Sequence, residues 1–71
     1  MHKHDGDVRK LEIGLPYLVK HNQEHVKDIE KWIQRAKDGH QDEVADDLQK
    51  VLELSRMITD HLKSALNNME V

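Results

Sequence analysis

The residues of this chain best suited to chemistry are gathered in His21-Asn22-Gln23-Glu24-His25. Histidines four apart present their imidazoles on one side of a helix, at a separation that suits a single metal ion such as zinc or nickel. Two ligands do not close a shell. Candidates to complete it are Asp28 on the same row, His61 and Asp60 further along the chain, and second copies of His21 and His25 in an oligomer. The pentapeptide also matches H-x-x-E-H, in which two His hold zinc and the Glu activates water. On a helix, however, Glu24 points to solvent, and a chain this short cannot wall a substrate cleft off from water. Gly6, Gly14 and Gly39 are too scattered to cradle a phosphate. The chain therefore reads as a protein that is not an enzyme, with no cofactor beyond a possible zinc or nickel ion.

The elements that must carry this turn are helices. Gly39 suits the left-handed residue that ends a helix, with Arg35 and Lys37 as cations in the turn before it. Asp42, Glu43, Asp46 and Asp47 then crowd carboxylates where a second helix would expose its N–H groups. Pro16 suits a first helical position and biases Leu15 toward an extended backbone. Leu11, Ile13 and Leu15 alternate with Lys10, Glu12 and Gly14, which reads as an extended lead-in. The expected organisation is a flexible arm over 1–10, a lead-in over 11–15, and an αα-hairpin over 16–67 with helices at about 16–37 and 42–67. The fold class is all-α, an antiparallel two-helix hairpin.

Both helices carry apolar stripes. Val44, Leu48, Val51, Ser55, Ile58, Leu62, Ala65 and Met69 step by four and three, with Ala45, Leu52, Leu66 and Leu54 widening the stripe. The first helix shows Leu18, Val19, Val26, Ile29, Ile33 and Ala36, with Trp32 on the shoulder. Stripes this broad exceed what one partner helix covers, which implies a homodimer forming a four-helix bundle. Size points the same way, because 71 residues with no cysteine have neither a large core nor a disulfide to hold them.

Asn22 falls in the middle of the first stripe and is expected to be buried. Folding the chain about Gly39 sets His25 beside Ser55 and Asn22 beside Ile58, so the polar interruptions of the two stripes approach one another. The leading interpretation is a polar core layer of Asn22, His25 and Ser55 that fixes register in a small interaction or oligomerisation module. The alternative is a metal-binding bundle that uses His21 and His25 with Asp28, His61 or symmetry copies.

Acidic residues outnumber basic ones 14 to 11 with the signs interspersed, which argues against nucleic acid and membrane surfaces as partners. No apolar run reaches the roughly 20 residues of a bilayer span, and the start lacks a signal peptide's apolar stretch, so the expected location is cytoplasmic. His2 and His4 read as solvated residues of the arm, Met57 as a dimer contact, and Trp32 either as the edge of a bundle core or as a contact for another protein. Leu15-Pro16, the His21 to His25 turn, Lys31-Trp32 and the run Gly39-His40-Gln41-Asp42-Glu43-Val44-Ala45 resemble those of small His-rich prokaryotic helical-hairpin proteins of uncharacterised function, over about residues 15–66. That resemblance implies the hairpin and the recurrence of the histidine turn. Ser55 and Met57 depart from the alanine and glutamate expected of that group.

Overall fold

The structure is a computed structural model that describes residues 3–69, with side chains from Gly6 onward. It is all-α, an antiparallel hairpin of α1, Lys3–Asp38, and α2, Asp42–Met69. The hairpin is rod-like, 59 Å long and 14 Å across in each other direction. Its seam is a regular alternation of threes and fours: Leu15, Val19, Asn22, Val26, Ile29, Ile33 and Ala36 on α1 are all half-buried or buried. On α2 the same holds for Ala45, Leu48, Leu52, Ser55, Thr59, Leu62, Leu66 and Met69. The most enclosed apolar residues, Ile33, Ala36, Ala45 and Leu52, lie toward the loop, where two alanines allow close helix approach.

The start of α1 differs from expectation. The described part of the arm over 1–10 and the lead-in over 11–15 are helical, and Pro16 lies inside the helix rather than at its first position. Alternation and helical spacing compete in this stretch, because Val8, Leu11, Leu15 and Val19 also recur at threes and fours. The helical spacing prevails by turning Leu15 and Val19 toward α2 and leaving Ile13, the middle of the alternating triplet, 76% exposed. Pro16 removes one backbone hydrogen bond and crowds the preceding turn, at about 3 kcal/mol in a helix interior. Seam burial on both sides of it opposes that loss. Met1 and His2, and the side chain of His4, are outside the described residues, as is the expected role of the His2 and His4 pair.

The loop corrects a second expectation. His40, not Gly39, is the left-handed residue, with φ of 58°. Its N–H donates to the Lys37 carbonyl at 3.0 Å, and the Gln41 N–H reaches back to the Ala36 carbonyl at 2.8 Å, which together form a Schellman cap. Gly39 has a steric task instead, since a Cβ there would stand 3.3 Å from the Arg35 carbonyl oxygen. Gln41 then starts α2 by accepting the Ala45 N–H at 2.9 Å, and Asp42 and Glu43 place carboxylates at the positive end of its dipole.

A left-handed non-glycine residue is strained by roughly 1–2 kcal/mol, which glycine relieves. His40→Gly is expected to stabilise the chain by about 1 kcal/mol, raising the midpoint of thermal unfolding by about 4–8 °C. Circular dichroism melts would check this, and an unchanged or lower midpoint would contradict the assigned cap.

Candidate functional site

The seam is apolar except at one level, and α1 places Asn22 there. Its side-chain Nδ2 donates to the Ser55 carbonyl at 2.7 Å and to the Thr59 hydroxyl, and the Thr59 Oγ1 donates to the Ser55 carbonyl at 3.1 Å. A backbone carbonyl only accepts, so this partner fixes which end of the Asn22 amide faces α2. Thr59 is buried, and among the described residues no enclosed side-chain polar atom lacks a partner. The polar layer is therefore Asn22, Thr59 and the backbone of Ser55. Asn22 is half-buried at the expected level, but the Ser55 hydroxyl is not its partner, and Ile58, expected beside it, is 51% exposed.

His25 does not belong to this layer. It is exposed and faces His21 across one turn, with their Nε2 atoms 2.9 Å apart and the rings near perpendicular at 85°. One ring donates to the other, which requires opposite states at the two Nε2 atoms. Tyr17 stacks on His21 with centroids 5.5 Å apart and planes 14° from parallel, which holds that ring along the helix. Asp28 and His61 are exposed, and among the described residues no third His, Asp or Glu joins the pair to make a group able to hold a metal. The sequence-derived set of His21, His25, Asp28 and His61 thus separates into a paired turn and two residues apart from it.

The seam divides the hairpin into two unlike flanks. On one, the Glu30 carboxylate of α1 pairs with the Arg56 guanidinium of α2 at 3.1 Å, and an open groove runs past Gln23, Lys27, Asp60 and Lys63. Because Glu30 meets Arg56 there, the rows on the far side of each seam must share the other flank. Those rows are Leu11, Leu18, His25 and Trp32 on α1, and Val44, Val51, Ile58 and Ala65 on α2, each with a seven-residue spacing. Leu11, Leu18, Trp32, Val44, Val51 and Ile58 are between 43% and 55% exposed. The Arg35 guanidinium lies over the Trp32 ring, 4.5 Å from its centroid. Trp32 is therefore outside the hairpin core.

This arrangement also corrects the expected stripe of α2. Val44, Val51, Ile58 and Ala65 were to face α1, and instead they flank the contact while Ala45, Leu52, Thr59 and Leu66 make it. The two alternatives differ by one residue of rotation. The all-apolar row looked like the better seam because Thr59 interrupts the true one, yet the alternation from Ala45 to Leu66 is equally regular.

A small helical hairpin with one polar bridge in its seam, one charged flank and one apolar flank is the class of protein that fold and site define. The chain belongs to the family described as a domain of unknown function, DUF8180, whose model matches residues 11–69. No curated protein and no solved structure matches the chain. No helix among the described residues is long and apolar enough to cross a membrane.

Asn22→Asp would set a carboxylate against the Ser55 carbonyl and is expected to destabilise the hairpin by about 2–3 kcal/mol. Asn22→Leu leaves Thr59 bonded to Ser55 and is expected to be neutral or stabilising in urea unfolding, while loosening the choice of partner register. A fall in stability for Asn22→Leu without any change of association state would contradict the role of Asn22 in register.

Proposed function

We propose that the protein is a dimerisation module, in which the apolar flanks of two hairpins close face to face into a four-helix bundle. The observation that carries this is the flank itself, two adjacent rows of half-exposed aliphatic and aromatic side chains beside a seam that is already filled. From the level of Leu11 to that of Val44 it is about 37 Å long, and two helices make it about 20 Å across. Its footprint, on the order of 750 Å², is close to the roughly 800 Å² per partner of a standard interface. The charged flank offers no such surface.

The exposed area supports the same conclusion. A compact monomer of 8.3 kDa is expected to expose about 4,600 Å². This chain exposes 5987 Å², and among its described residues no large side chain is fully buried. The occupant that best fits is a second copy of the chain, because the flank's apolar rows run its full length on both helices and so match their own reverse. Dimerisation itself would be the working property of such a module, with Asn22 setting which faces meet and no catalytic step involved.

Sedimentation at micromolar concentration tests this reading, with a dimer expected for the wild type. Val51→Lys and Ile58→Lys each place a charge in the middle of the flank and should shift the equilibrium to monomer while the helical signal persists. A folded monomer for the wild type would refute the proposal, as would a dimer unaffected by both lysines.

A further inference from the structure

We infer that the His21 and His25 pair is half of a divalent transition-metal site that a second copy of the chain completes, so that four imidazoles hold one ion between two hairpins. This rests on the dimer proposed above. The pair is already close, since its Nε2 atoms lie 2.9 Å apart and share a single hydrogen bond. Binding an ion there requires the donor ring to carry its proton on Nδ1 instead and both rings to turn their Nε2 lone pairs to one point. An ion about 2.1 Å from each would see them at close to 90°, the angle between neighbouring ligands in the square or octahedral sites favoured by nickel and copper. A modest ring rotation opens that angle toward the tetrahedral value for zinc. Tyr17, stacked on His21, limits the freedom of one ligand before any ion arrives.

One hairpin cannot finish the site. No third His, Asp or Glu groups with these two among the described residues, so a single chain offers two ligands and water. The position of the pair on the apolar flank supplies the rest. His25 occupies the row that otherwise reads Leu11, Leu18 and Trp32, with two of those residues to one side along α1 and the third to the other. On α2, Val44 and Val51 lie beyond it toward the loop, and Ile58 and Ala65 toward the open end. The histidine turn is thus the middle of the flank. A twofold axis crossing the helices at that middle covers the apolar rows end to end and lays the turn against the same turn of the second copy, with His21 of each chain level with His25 of the other.

Coordination also answers a cost of the dimer. Closing the flank takes two exposed imidazoles of each chain out of water with only the one hydrogen bond between their Nε2 atoms to replace their hydration there. An ion shared by four Nε2 atoms replaces those two weak pairings with four bonds and ties dimerisation to metal supply.

The test is Ni²⁺, with Zn²⁺ alongside, titrated into the full chain carrying His2→Ala and His4→Ala, so that the N-terminal histidines do not contribute. Calorimetry should give one ion per two chains, and sedimentation should show the dimer tightened about a hundredfold when free ion stands at about 100 times its dissociation constant. His25→Leu removes a ligand but preserves the apolar row, so it should still dimerise without metal and lose the response to metal. His21→Ala should lose the response as well. Binding of one ion per chain to a monomer, absence of binding, or binding that survives both substitutions would overturn the shared site while leaving the metal-free dimer standing. A dimer that forms only with the ion would support the site and refute metal-independent association. A monomer under every condition would refute both.

Discussion

The Asn22 amide reaches the Ser55 carbonyl and the Thr59 hydroxyl in one register of the two helices, and the faces of the hairpin follow from that register. Sliding α2 by a heptad would bring Leu48 and Leu52, or Leu62 and Leu66, against Asn22 and take the Thr59 hydroxyl from its amide, a loss of about 1 kcal/mol for a half-buried hydrogen bond. An all-aliphatic seam would carry no such discrimination. With Asn22 fixed, Glu30 falls opposite Arg56 on one flank, and the rows of Leu18, His25 and Trp32 and of Val51 and Ile58 share the other. Polar and apolar surfaces are thereby sorted to opposite sides of a thin rod.

Such a rod has little interior. Its most enclosed apolar side chains are Ile33, Ala36, Ala45 and Leu52, two of them only methyl groups, and the remaining apolar seam positions are half-buried. Small domains already run close to the limit at which apolar burial offsets chain entropy. The end caps therefore matter more than they would in a larger protein, and so does the surface left open on the apolar flank. Burying it in a dimer would supply the core that the hairpin lacks alone.

Much of the fold was legible in the sequence because its signals were local. The carboxylates from Asp42 onward, the cations before Gly39 and the spacing of apolar residues place two helices and a short connection, and folding about that connection sets Asn22 at the level of Ile58, one residue from its partner Thr59. What was not legible depended on competition between signals of similar strength. Pro16 and the alternation of Leu11, Ile13 and Leu15 argued against a helix that seam burial sustains, and His40 takes the left-handed position that a glycine one residue earlier seemed to claim. Two adjacent stripes on α2 were equally periodic, and the one that packs contains Thr59, whose burial is explained only by an acceptor and a donor on neighbouring residues. His25 lies on the shoulder of the same stripe, so its place in the seam or on the flank turned on a small rotation.

The apolar flank joins these features, since it is defined by the Asn22 register, it would supply the missing core in the proposed dimer, and it carries His25 in its middle. Trp32 reports on it directly, being the only tryptophan in the chain and 55% exposed on that flank. The most direct measurement is its fluorescence emission as the protein is diluted from high to low micromolar concentration, with helicity followed in parallel. A blue-shifted emission that moves to the red on dilution, at constant helicity, is the result expected if a second copy covers the flank. Emission that stays red at every concentration in a folded chain would contradict it.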